Sequence, residues 1–163
     1  MTLRWARFSE LDVHSLYALL RLRAEVFVVE QHCVFADPDG QDAEAWHLLA
    51  EDAQGLTGCA RLFLPGVAKG GAQSSMRGRD SASLGRIVTA PRVRGSGLGR
   101  ELVLAAQSFL LEQAGPIPLR IGAQSRLEPF YRQLGFEADG SPFLEDGILH
   151  RPMVYRPGRT KKA

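Results

Sequence analysis

Arg94-Gly95-Ser96-Gly97-Leu98-Gly99-Arg100 is the stretch whose residue types constrain chemistry most. Glycines let the backbone approach a ligand closely and turn its N–H groups toward it. The segment that follows has helical spacing, and a helix N-terminus adds unpaired N–H groups and the positive end of its dipole. The matching ligand is an anion, a phosphate or pyrophosphate. A plain glycine turn before a helix has the same pattern, so the surroundings must decide. No Lys-Ser or Lys-Thr closes the loop, as a Walker-type phosphate site requires. The order R-x-x-G-x-G, deep in the chain with no acid on the next strand, also departs from the dinucleotide fingerprint.

The elements that must hold this loop can be read on either side of it. Leu84–Thr89 is strand-like and Pro91 stops it. Leu98, Leu102, Ala105, Ala106, Phe109 and Leu110 recur at helical spacing, and Gly115-Pro116 ends that helix. Upstream, Leu3–Phe8 reads as a strand and Val13–Glu30 as a helix with Ser9 or Asp12 near its start. The β-branched and aromatic run Val26–Val29 is expected to distort its last turns. Asp37-Pro38-Asp39-Gly40 is a turn, and Ala45–Glu51 with Leu56–Leu64 forms a hairpin around Gln54-Gly55. Residues 65–81 are glycine-rich with little apolar content, which predicts a mobile loop. Leu119–Ala123 is a strand, and the stretch from Arg126 or Leu127 to Leu134 is a short helix with Pro129 in its first turn. Phe136–Ala138 and Leu149–Tyr155 are the last strands, with Ser141–Gly147 between them. The order β-α-ββ-β-α-β-α-ββ predicts an α/β (α+β) fold with a mixed sheet.

The 163 residues, 45% apolar, suffice for one domain with a full core, taken as 1–156. Residues 157–163 form a basic tail expected to be disordered. Without Arg156, Arg159, Lys161 and Lys162 the charge balance turns slightly acidic, which argues against non-specific nucleic-acid binding. No apolar run reaches membrane-spanning length and no secretory leader is visible, so a cytoplasmic setting is expected. Cys33 and Cys59 give neither disulfide nor metal spacing; Cys59 reads as core and Cys33 as an accessible loop residue.

A second motif narrows the reading. Gln124-Ser125-Arg126-Leu127-Glu128-Pro129-Phe130-Tyr131 runs on to Gly135-Phe136. With the R-x-x-G-x-G loop it resembles the two signatures of the GNAT N-acetyltransferase superfamily, although Gln124 and Leu127 stand where that pattern has Asn and Ala. Arg23–Gln31, Gly85–Val88 and Glu145–Ile148 with His150 are similar to the ElaA-type subgroup, so the resemblance covers nearly the whole chain. It implies a GNAT fold of about six to seven strands, splayed between the fourth and fifth, with helices on both faces.

The resemblance implies an acetyl-CoA-dependent N-acetyltransferase in which an amine attacks the thioester directly. The pyrophosphate is assigned to Arg94, Gly95, Ser96, Gly97, Leu98, Gly99 and Arg100, the pantetheine to Ile87, Val88 and Gln124, and the carbonyl to an N–H of Ile87 or Val88. Tyr131 is implied as general acid on the thiolate; a phenol of pKa about 10 can return that proton. The fourth strand carries Arg86 and no acid, so the base stays open among His47, Glu30, the pair Glu145 and His150, and water. Phe27, Arg61, Arg86, Glu145 and His150 are candidate acceptor contacts. Arg61 and Arg86 lie in apolar strands and need partners, either Glu25 or Glu30 or an acidic substrate group. No metal is implied, and the protein is expected to be a monomer or homodimer. Two other readings stand beside the enzyme: an acyl-CoA-binding module with little catalysis, and a protein binding another nucleotide through the same loop.

Overall fold

The computed structural model describes residues 1–66 and 80–158. Most of the predicted 65–81 loop and of the basic tail lies outside the described residues. One eight-stranded sheet runs β1 (Thr2–Arg7), β2 (Trp46–Asp52), β3 (Gly55–Phe63), β4 (Ala82–Thr89), β5 (Leu119–Gln124), β8 (Ile148–Tyr155) and β6 (Phe136–Ala138), with β7 (Phe143–Glu145) also on β8. The sequence predicts one strand fewer: β7 falls inside the segment read as a connection, and three residues flanked by turns carry no periodic signal. Its register Phe143↔His150, Leu144↔Leu149, Glu145↔Ile148 makes it a hairpin with the start of β8.

The sheet is mixed as expected. β4 and β5 are its parallel pair, and they are paired only at Ala82↔Leu119 and Ser83↔Arg120. Beyond Ser83 the two strands part, so the rest of β4 and the end of β5 form the two sides of a cleft.

Residue alternation along the hairpin β2–β3 sends apolar side chains to both faces. Leu48, Ala50, Ala60 and Leu62 join Leu98, Leu102, Ala106 and Leu110 of helix α2 (Leu98–Ala114) on one face. Tyr131 of α3 (Glu128–Gln133) belongs to that same cluster. Leu49 and Cys59 join Leu19 and Leu22 of α1 (Val13–Arg23) on the other. Asp12 caps α1, accepting from the N–H groups of His14 (2.9 Å) and Ser15 (2.8 Å). The predicted helix Val13–Glu30 is α-helical only to Arg23 and continues as a π-helical segment over Ala24–Glu30. The β-branched and aromatic side chains from Val26 to Val29 crowd an α-helical turn, and the wider turn relieves them.

β4 carries the other irregularity. Cys59 pairs with Val88 but Arg61 with Gly85, so Arg86 and Ile87 oppose Ala60 alone. This β-bulge places Arg86 at φ +52°, a left-handed conformation that costs a non-glycine residue energy. Among the described residues no helix is long and apolar enough to cross a membrane.

Candidate active site

The cleft opened by β4 and β5 is a cavity of about 590 Å³. Ile87 and Val88 line it from β4, and Ile121 and Gln124 from β5. Phe27 and Glu30 contribute from the π-helical segment, Arg94 from the head of the glycine loop, Tyr131 from α3, and Glu145 and His150 from the β7–β8 hairpin.

The glycine loop has the conformation its sequence predicts. Gly95 (φ +81°) and Gly97 (φ +92°) are left-handed, and Gly97 is the N-cap of α2. The N–H groups of Ser96 and Arg100 are used inside the loop, by Val93 and Gly97 carbonyls. Those of Gly95, Gly97, Leu98 and Gly99 have no acceptor among the described residues. Clustered free donors at a helix N-terminus suit an anion.

Tyr131 is 7% exposed, held edge-on by Phe130 (5.0 Å) and Phe136 (5.7 Å). Its hydroxyl has no protein partner among the described residues. Burial pushes the phenol up to about 12, so it stays protonated and acts as a donor. His150 stacks on Phe143 at 5.5 Å, and its Nδ1–H donates to the Ile148 carbonyl at 2.7 Å. That bond fixes the proton on Nδ1 and leaves Nε2 as the ring's lone-pair nitrogen in the neutral form. Gln124 donates across the cleft to Gln31 Oε1 at 3.1 Å, and Cys33 Sγ contacts the Asp146 carbonyl at 3.4 Å. Cys33 is buried in this wall, contrary to the expectation of an accessible thiol, because the hairpin covers it.

Three sequence assignments are corrected. Arg61 does not line the cavity and is 1% exposed. It donates to both oxygens of Asp39 at 2.8 Å and to Asp42 at 2.9 Å. Arg86 does border the cavity, yet it is anchored by Asp37 and Asp39, and neither Glu25 nor Glu30 is the partner of these arginines. Glu25 instead pairs with Arg21 and Glu30 with Arg94. His47 is buried on the α1 face, outside the cavity lining, with Nε2–H donating to the Asp42 carbonyl at 2.8 Å. It cannot reach a substrate in the cleft and is removed as a base.

These side chains belong to one buried ion cluster that sequence reading missed. Arg23, 1% exposed, donates to Asp37 at 2.8 Å and to Asp42 at 2.7 Å. Arg86 Nε lies 2.8 Å from Asp37 Oδ1, close enough for charge attraction but misaligned for a hydrogen bond. Three arginines thus face Asp37, Asp39 and Asp42, and formal charge balances. Burial opposes ionisation of Asp39 and Asp42, but Arg61 and Arg23 outweigh it and hold both carboxyls below their ordinary range. The available signal was the three arginines in apolar segments, which require three anions. The turn 37–42 supplies them.

A pH dependence follows. Burial, with Arg23 and Arg61 nearby, lowers His47 below the ordinary imidazole value of 6.5. The unfolded chain therefore binds the proton first, and stability is full above pH 6.5 and falls as pH drops below it. Asp39 and Asp42, lowered from 3.8, add a second loss below about pH 4. Thermal melting from pH 7.5 to 5 is expected to show the first decline, and His47→Gln, which keeps the donor without titrating, is expected to flatten it. An equal slope in both proteins excludes His47 as the cause.

A mixed sheet opened at its parallel pair, a donor-lined glycine loop at one side and a buried phenol facing the cavity define an acyltransferase fold. A family model for the acetyltransferase (GNAT) domain matches residues 63–157, more than half of the chain. Among curated proteins, a UPF0039 protein of Mycobacterium tuberculosis is 41% identical over 94% of this chain and 90% of its own. The solved structure of Escherichia coli ElaA superposes with a TM-score of 0.83 at 30% identity, covering 96% of this chain and 100% of that one. An acyl-CoA N-acyltransferase from Pseudomonas aeruginosa gives the same TM-score at 32% identity, covering 95% and 99%. The chain belongs to the GNAT acetyltransferase family, in its ElaA-like branch.

Proposed function

We propose that this acyltransferase moves an acetyl group from acetyl-CoA to a primary amine by direct attack, in a cytoplasmic setting that suits its two unbridged cysteines. The observation that carries the reading is that one cavity is bordered by Arg94, by the separated edges of β4 and β5, and by Tyr131. The pyrophosphate sits on the free N–H groups of Gly95, Gly97, Leu98 and Gly99. The pantetheine lies between β4 and β5, with Val88 and Gln124 as partners. The thioester carbonyl faces the bulge, where the N–H of Ile87, outside the β3 ladder, polarises it. His150 Nε2 takes the proton of the attacking ammonium, since the Ile148 carbonyl holds the proton on Nδ1 and β4 bears no carboxylate. Phe27, Glu145 and Arg86 border the acceptor. Nitrogen forms the amide bond as the carbon–sulfur bond breaks, its second proton leaves to water, and the Tyr131 hydroxyl hydrogen-bonds the departing thiolate.

Calorimetric titration with acetyl-CoA, CoA, NAD and ATP tests the cosubstrate, followed by an amine screen for thiol release. Selective binding of acetyl-CoA and CoA is expected. Binding without turnover on any amine returns the acyl-CoA-binding alternative. Gly97→Val is expected to weaken CoA binding at least about tenfold, because φ +92° disfavours a branched residue and the shift it forces disturbs the neighbouring donor N–H groups. Unchanged affinity in folded Gly97→Val protein removes the loop from the site.

A further inference from the structure

Glu30 is the last residue of the π-helical segment, and its carboxylate grips Arg94 fork to fork. Arg94 Nη1 lies 2.9 Å from Oε1, and Nη2 donates to Oε2 at 2.9 Å. Both side chains border the same cavity, and both are substantially exposed, at 42% and 44%. Arg94 opens the glycine loop, in which the N–H groups of Gly95, Gly97, Leu98 and Gly99 have no acceptor among the described residues. A guanidinium accepts a carboxylate and a phosphate through the same planar fork. The end-on fork of Arg94 is occupied by Glu30, and a phosphate seated on the loop would meet that carboxylate as a like charge.

We infer that Glu30 is an internal competitor for the phosphate site: its carboxylate holds Arg94 as a phosphate would, and the pyrophosphate of the cosubstrate displaces it. The inference rests on the acyl-CoA reading of the loop. It also ties the two ends of the site together. Glu30 belongs to the segment that contributes Val26 and Phe27 to the cavity wall, and Gln31 just beyond it bonds Gln124. Exchange at Arg94 frees this wall when the cosubstrate enters, so cosubstrate binding precedes the final shaping of the acceptor side. Such coupling needs a ligand with different affinities for the two arrangements, and direct competition for one guanidinium supplies it.

The test is a double-mutant cycle read by calorimetry, with CoA as the probe and pantetheine, which lacks the pyrophosphate, as the control. Glu30→Gln is expected to tighten CoA by about two- to fivefold, the worth of an exposed ion pair, and to leave pantetheine unchanged. Arg94→Gln is expected to weaken CoA, and in that background Glu30→Gln is expected to do nothing. CoA binding that Glu30→Gln leaves unchanged or weakens overturns the competition alone and leaves the phosphate loop standing. Equal tightening of pantetheine overturns it too, because the effect then has no connection with phosphate. Failure of folded wild-type protein to bind CoA overturns both this inference and the reading beneath it.

Discussion

Asp42→Ala destabilises the fold by about 3–5 kcal/mol in urea unfolding at neutral pH. The carboxylate accepts from Arg23 at 2.7 Å and from Arg61 at 2.9 Å, and both arginines are 1% exposed. Alanine removes one negative charge from a balanced cluster and leaves an excess positive charge that water cannot reach. Desolvation is then no longer offset, which is the costly way to break a buried pair. Asp39→Ala is expected to cost less, because its carboxylate is 23% exposed and Arg61 keeps Asp42. Glu25→Ala, which breaks the exposed surface pair with Arg21, is expected to leave the unfolding midpoint nearly unchanged. If Asp42→Ala and Glu25→Ala prove equally mild, the cluster is not a stabilising unit. Substituting all its charged members together with apolar residues of similar volume is a different experiment, and can be neutral.

Tyr131→Phe lowers kcat about 100-fold on a good amine and leaves CoA affinity within about twofold. Phenylalanine keeps the edge-on contacts to Phe130 and Phe136, so only the hydroxyl is lost. Among the described residues that hydroxyl has no protein partner, and its removal strands no buried group there. The role proposed for it is narrower than outright proton donation. A phenol at about 12 would have to give its proton to a thiolate of pKa about 8.5, against a gradient of roughly 5 kcal/mol. A charge-assisted hydrogen bond to the developing thiolate avoids that cost and still favours the transition state. Because burial raises its pKa, Tyr131 stays protonated across the neutral and mildly alkaline range, and a fall in rate there does not belong to it. Stopped-flow thiol release settles the point: an unchanged kcat removes Tyr131 from the chemistry.

Local patterns in the sequence carried much of this architecture. The strand–glycine–helix unit and the second motif were legible because their signals are local: left-handed glycines, a helix-stop glycine, residues at helical spacing. The place where the sheet opens was also expected, on the resemblance. Long-range pairing was less visible. Arg23, Arg61 and Arg86 announce missing anions, but their partners lie in a stretch whose local reading is only a turn. His47 shows how far alternation reaches. Period two puts His47 and Leu49 on one face of β2, but it does not say which face meets the cleft, and that face meets α1. The short β7 exists through its pairing with β8, which its own three residues do not encode.

The brief pairing of β4 with β5 has a consequence for solubility. A sheet normally hides its unsatisfied backbone rows at two outer margins, and proteins guard those margins against pairing with other chains. Here two further rows lie in the middle of the molecule, because only Ala82 and Ser83 of β4 find partners on β5. An extended segment of another chain could pair there as readily as a cosubstrate's amide arm. Bound as proposed, acyl-CoA acts as a plug that denies those rows to other strands. Protein expressed and concentrated with CoA should stay monodisperse under conditions where the bare protein self-associates.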